Sequence, residues 1–210
     1  MCSICGILGG NQDHRREVIS AVNETMKTRG PDQNGIYLSG NVSLGHNRLA
    51  IIDVENGIQP MTRSYMGRDF TIVYNGELYN TPELTALIKE HGVTPTTYCD
   101  TEVVLYLYIL FGKKCASMLD GIFAFAVYDA ALDETYLARD RFGIKPLFYT
   151  VSGDTLIFAS EIKALLRYPG IRPEVDKIGL WELLFLSPDR IGCIFKGIRE
   201  IEPAHQAVWK

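Results

Sequence analysis

The sequence predicts an α+β fold built on stacked antiparallel sheets. Strand-like stretches outnumber helical ones, and the helical stretches fall in groups between strand runs instead of alternating with them one for one. The later strands are separated by short turns carrying Asp133, Gly143 or Gly153–Asp154, the punctuation of an antiparallel meander. A chain of 210 residues, 47% of them apolar, can bury the core such a fold needs and is unlike a disordered sequence.

Residues 3–9 read as a short apolar strand. Across 13–30, Val18, Ile19, Val22 and Met26 recur at the spacing of an amphipathic helix, which Gly30–Pro31 closes. "NGIYLSG" (34–40) and "NVSLGHNRLAIID" (41–53) are strands joined by a turn over 39–41, and "FTIVYNGELY" (70–79) is another. "TPELTALIKEHG" (81–92) carries helix punctuation, with Thr81 as N-cap, Pro82 at the first helical position and Gly92 past the end. A second helix over 100–114 is apolar enough to be largely buried. Strands follow over 121–130, 134–140, 146–153 and 155–160. The helix of "SEIKALLRY" (160–168) opens with Ser160 in the N-cap position and an acidic residue in its first turn. After Tyr168 the texture changes to a proline-rich connector, a short apolar helix over 177–186 and a tail with no clear stop. Residues 2–168 are therefore read as one domain and 169–210 as connector and tail.

A formal charge of −4 with no basic block argues against nucleic acid or an anionic membrane as the main partner. The longest apolar runs, "VVLYLYILF" and "GIFAFAVY", fall far short of a bilayer span, and no secretory signal pattern opens the chain. Five irregularly spaced cysteines suit a reducing compartment better than a disulfide framework. The expectation is a soluble, cytoplasmic protein. No P-loop, dinucleotide fingerprint or HExxH motif is present, so no nucleotide or metal site is expected.

The opening "MCSICG" has two readings. If Met1 is removed, as is usual ahead of a small side chain, Cys2 carries a free α-amine with a reference pKa of about 7.7–8.0. That amine can take the thiol proton directly or through one water, which makes Cys2 an N-terminal nucleophile. If Met1 stays, Cys2 and Cys5 form a CxxC pair for metal or redox work. A zinc site needs four ligands, however, and the remaining cysteines and His14, His46, His91 and His205 have no ligand spacing. In an extended strand, residues three apart also point to opposite faces. Cys5 is then a small core hydrophobe or an oxidation partner for Cys2. Elsewhere, Asn75–Gly76 is a favoured hairpin turn, though "ELYNTPEL" makes a poor second strand after it. Arg48 can be a solvated strand-end charge, Asp100 a helix cap, and "RGPD" (29–32) a turn.

The order "MCSICG", "RGPD", "HNRLAIID", "YNGELYN", "CDTEV", "LDGIFAFAVYD", "ARDRFGIKPLFY" resembles the N-terminal glutaminase domain of glutamine-dependent asparagine synthetases. These are class II glutamine amidotransferases of the N-terminal-nucleophile hydrolase superfamily. The resemblance runs from Cys2 to about Trp209; each motif is weak alone, and seven in order are specific. It implies a four-layer αββα sandwich and hydrolysis of L-glutamine to glutamate and ammonia. Cys2 would be the nucleophile, through a thioester, with its own α-amine as base. Arg48 would grip the substrate carboxylate. Asp100 would receive its ammonium with Glu77 alongside, and the backbone of Leu49, Ala50, Ile51 and Ile52 would line the pocket. Asn75 and Gly76 would supply a side-chain amide and a backbone N–H to the oxyanion.

The resemblance implies no cofactor for this chain. ATP and Mg belong to a C-terminal synthetase domain that forms asparagine from aspartate, and no Ser-Gly-Gly phosphate loop of that domain occurs here. "FKGIREIEPAH" resembles the segment leading into it, so the chain is expected to be the glutaminase half of a longer protein, with glutamine and that domain as partners. A homodimer is left open. Cys5 and Ala204 depart from the pattern, which favours an apolar or aromatic residue and a glycine there. Two alternatives stand beside this reading: a binding or structural piece idle without its partner domain, and an amidotransferase with another acceptor.

Overall fold

The computed structural model describes residues 1–10, 14–185 and 193–210. In chain order it forms β1 (Ser3–Leu8), α1 (Arg15–Glu24), a 3-10 turn (Lys27–Arg29), β2 (Gln33–Ser39), β3 (Val42–Arg48), β4 (Met61–Tyr65) and β5 (Arg68–Leu78). Next come α2 (Thr81–Glu90), α3 (Asp100–Phe111), a 3-10 turn (Gly112–Lys114), α4 (Cys115–Met118), β6 (Gly121–Asp129) and β7 (Glu134–Arg139). The rest is β8 (Phe148–Ser152), β9 (Thr155–Ala159), α5 (Ile162–Leu165), α6 (Lys177–Phe185), β10 (Arg199–Glu200) and β11 (Gln206–Trp209). One sheet runs β10-β8-β9-β1-β3-β2 and the other β11-β7-β6-β5-β4, with every pairing antiparallel.

The two-residue period of the strands sorts their side chains into four layers. Ile4 and Leu8 of β1, Val42 and Leu44 of β3, Val73 of β5 and Ala124, Ala126 and Tyr128 of β6 pack between the sheets. Cys5 and Ile7 face outward to α1 and α5, packing on Ile19, Val22 and Leu165. Ile72, Tyr74, Phe123, Phe125 and Val127 face the other way, onto α2 and α3. The layers are thus α, β, β, α, as the resemblance implied. Gly6 makes room for its in-sheet partner: a Cβ there would sit 2.2 Å from the ring of Phe158, which faces the space between the sheets from β9. Burying one such aromatic contributes roughly 1.5–3 kcal/mol.

Several expectations are corrected. The helix over 13–30 stops at Glu24, and residue 13 lies outside the described residues; Gly30 instead approaches Asn47, whose carbonyl oxygen would lie 2.3 Å from a Cβ there. The strand expected over 41–53 ends at Arg48, because the next residues wrap the arginine head instead of pairing. β4 went unforeseen, since "MTRSY" is a mostly polar edge strand; it joins β5 through Met66–Gly67, both at positive φ as a two-residue hairpin turn requires. Asn80, not Thr81, is the N-cap of α2, and its amide bridges Met118 and Asp120. Glu161, not Ser160, precedes α5; the Ser160 hydroxyl accepts from the Ile4 N–H at 2.9 Å and so continues the sheet. The helix over 177–186 is seen as α6, residue 186 lying outside the described residues. The expected meander is two hairpins, β6–β7 in one sheet and β8–β9 in the other. Turn residues mark a hairpin but not the sheet it joins. In the stretch read as connector and tail, β10 and β11 each add an edge strand, one to each sheet.

Candidate active site

Register and parity gather the site. Ser3 pairs with Asn47, so Cys2 stands opposite Arg48, and both share the parity of the residues that face between the sheets. Asn75 shares the parity of Val73 and faces the same space from β5. At this end lies a cleft of about 200 Å³ lined by Cys2, Arg48, Leu49, Ile51, Ile52, Asn75, Gly76, Glu77 and Asp100. Ala50 stands beside it, its N–H donating to Asp32 Oδ2 at 2.8 Å. Met1, Gln59, Tyr74, Cys99, Thr101 and Lys145 also line the cleft; none of these was foreseen as a site residue, although all but Gln59 fall within the seven motifs.

Cys2 Sγ accepts the Leu49 N–H at 3.4 Å and lies 3.7 Å from the Leu49 carbonyl. Arg29 Nε donates to the Cys2 carbonyl at 3.2 Å, and Nη1 pairs with Glu161 Oε1 at 3.2 Å. The "RGPD" segment, read as a turn, therefore holds Cys2 through Arg29 and the 49–54 loop through Asp32. Burial works against a charged Glu161, but Lys163 and Arg29 outweigh it and hold the carboxyl below its ordinary range. Met1 lies over the cleft, its Sδ 3.3 Å from Lys145 Nζ. The backbone of the Lys145 loop is drawn in by Asp140, whose carboxylate accepts the N–H groups of Phe123, Phe142, Ile144 and Lys145.

Arg48 is almost wholly buried, which overturns the solvated-charge reading. Its Nη1 donates to Gln33 Oε1 and the Val54 carbonyl, and its Nη2 to the carbonyls of Ile52 and Asp53, at 2.7–2.9 Å. The guanidinium thus shapes the 49–54 loop. A Cβ on Gly57 would fall 2.3 Å from Nη2, so that glycine leaves room for the head.

Asn75 and Gly76 sit inside β5, opposite Ala124 and Phe123, and form no hairpin turn. Asn75 Nδ2 is buried without a hydrogen-bond partner, an amide donor held in reserve. Asp100 is the first residue of α3, with Cys99 at the N-cap, so the cap reading also fails. Its Oδ2 accepts the Leu78 N–H at 3.3 Å. Burial raises the Asp100 pKa, opposed by Tyr74, Leu78, Thr101 and Cys99. Glu77 is exposed at the rim.

Two buried side chains pin the strand beside the site. His46 Nε2 meets the Tyr74 carbonyl at 3.1 Å, which crosses from one sheet to the other, and Gln59 Oε1 accepts the Tyr74 N–H at 2.6 Å. Gln59 Nε2 donates in turn to Thr101 Oγ1 at 3.1 Å. Burial, aided by Arg48 against a weaker opposing bond to Tyr74, pushes the His46 pKa down to about 3, so the ring is neutral.

Cys5 lies on the helix-facing side of β1 with Sγ 3.5 Å from Asn23 Oδ1, and burial raises its pKa far above the ordinary thiol value. Cys2 and Cys5 point to opposite faces, so they form neither a disulfide nor one metal site. Among the described residues no group of His, Cys, Asp and Glu is placed to hold a metal ion.

A family model described as a glutamine amidotransferase domain matches residues 1–210. Asparagine synthetase [glutamine-hydrolyzing] 3 of Bacillus subtilis is 43% identical over 98% of this chain and 34% of its own length. A probable asparagine synthetase [glutamine-hydrolyzing] of Schizosaccharomyces pombe is 40% identical over 83% of this chain and 31% of its own. The chain spans about a third of the length of these curated relatives. Among solved structures, the B. subtilis glutamine phosphoribosylpyrophosphate amidotransferase complexed with ADP and GMP shares the fold, with a TM-score of 0.70 at 23% identity over 83% of this chain and 45% of that one. The allosteric regulatory enzyme of purine biosynthesis shares it too, with a TM-score of 0.73 at 21% identity over 99% of this chain and 46% of that one.

Proposed function

The chain belongs to the glutamine amidotransferase domain family, and from that premise we propose that it hydrolyses the side-chain carboxamide of L-glutamine to glutamate and ammonia. With Met1 removed, the α-amine of Cys2 takes the thiol proton, and the sulfur attacks the carboxamide carbon. The oxyanion is received by Asn75 Nδ2 and the Gly76 N–H. The amine returns the proton to the leaving ammonia, and water then cleaves the thioester to glutamate and restores the thiol. At the far end of the substrate, Asp100 takes the α-ammonium with Glu77 at the rim. Arg48 takes the carboxylate, exchanging loop carbonyls for the ligand. The backbone of residues 49–52, Ala50 included, forms the intervening wall.

The observation that carries this reading is the unpartnered, buried Asn75 amide facing the same inter-sheet space as Cys2. The test is release of glutamate and ammonia from glutamine by the chain and by Cys2→Ala. Undiminished release by the variant would remove Cys2 from the chemistry.

The ammonia is destined for an ATP-dependent synthetase domain that makes asparagine from aspartate, with ATP and Mg bound there. The printed names of the relatives, and their threefold greater length, support this. So does α6, a largely apolar helix that leaves Trp181, Leu184 and Phe185 exposed, a surface suited to a partner domain. Free thiols on all five cysteines fit work in the cytoplasm.

A further inference from the structure

Asp100 is a buried carboxylate short of donors. The Leu78 N–H reaches Oδ2 only at 3.3 Å, the Cys99 thiol, a weak donor, lies 3.7 Å from Oδ1, and the Thr101 N–H is the remaining backbone donor beside it. Beside it stands a donor with nothing to do: the Tyr74 hydroxyl is buried and makes no hydrogen bond of ordinary geometry, although Tyr74 and Asp100 line the same cleft. The two groups are near enough to perturb each other's ionisation. A buried hydroxyl left without a partner pays its full desolvation penalty. The strand carrying it is pinned by His46 and Gln59 on either side of the Tyr74 peptide, and Gly76 keeps its Cα against the ring, where a Cβ would come 2.6 Å from the hydroxyl oxygen.

From this surplus donor and under-supplied acceptor, and resting on the glutamine reading above, we propose that Tyr74 is a positioning residue whose hydroxyl completes and aims the Asp100 carboxylate that receives the substrate α-ammonium. The other groups facing this pair are Glu77 from β5 and Cys99 from the start of α3, with Arg48 acting on Cys99. Of these, only Arg48 is cationic.

Tyr74→Phe removes the hydroxyl and keeps the ring. The expected result is a KM for glutamine raised about tenfold or more, with kcat unchanged, since the carboxamide end is untouched. The Asp100 carboxyl, followed by 13C NMR and assigned with Asp100→Asn, should titrate at higher pH in Tyr74→Phe than in the parent chain. An unchanged Asp100 midpoint, or kcat and thermal stability falling together with KM intact, overturns the proposal. If the parent chain hydrolyses no glutamine, the proposed function fails, while the NMR midpoint still decides the pairing of Tyr74 with Asp100.

Discussion

Arg29 Nε donates to the carbonyl of Cys2 while its Nη1 pairs with Glu161, so one side chain ties the start of β1 to the 3-10 turn before β2 and to the entry of α5. Arg29 thereby holds Cys2 by its carbonyl and not by the sulfur or nitrogen that the proposed hydrolysis would use. Arg29→Ala is expected to lower kcat about 10- to 100-fold, the loss of a charge-assisted hydrogen bond of roughly 1.5–3 kcal/mol, with a smaller effect on KM. Steady-state kinetics beside Glu161→Gln, which should fall between parent and Arg29→Ala, check it.

Activity should follow the fraction of chains that lack Met1. An amide nitrogen is no base, and Met1 covers the cleft beside Lys145. Intact mass spectrometry of preparations with graded Met1 removal, plotted against specific activity, should give a line through the origin. Full activity in a chain that keeps Met1 would contradict the assignment of the base.

Asn75→Ala is expected to cost about 10²–10³ in kcat with little change in KM, the scale for losing one oxyanion donor. Because Asn75 is buried and its amide has no structural partner, the variant should also keep its unfolding midpoint. A proportionate loss of stability would make the amide structural.

Glutamine affinity in the Cys2→Ala chain should fall as the solution is acidified, and at a higher pH than an ordinary carboxylate would set. Burial raises the Asp100 pKa from 3.8, and only the ionised form can take an ammonium. Calorimetric titration across pH 4–7 tests this; in Asp100→Asn, binding should be weak and flat over that range.

His46 makes stability depend on pH with a definite sign. Its folded pKa of about 3 lies below the ordinary 6.5 of the unfolded chain, so the folded state binds fewer protons between these values. No penalty exists above 6.5; as the pH falls from there toward 3, stability declines at up to about 1.4 kcal/mol per pH unit. Urea unfolding at stepped pH should show a shallower decline in His46→Asn than in the parent.

What the linear sequence determined was local: the two-residue alternation of β1, β3, β5 and β6, the hairpins of β6–β7 and β8–β9, the burial of α3, and a motif order sufficient for the family. Even the opposition of Cys2 and Cys5 was legible, because strand parity is a property of neighbours along the chain. The tertiary structure alone decided which hairpin joined which sheet, that Asn75–Gly76 runs straight through β5, and that Arg29, Gln59, His46 and Tyr74 converge on the site. Those outcomes turn on register between segments far apart in sequence and on where buried polar groups find partners. Such energies exist only once the sheets have closed on each other and excluded water.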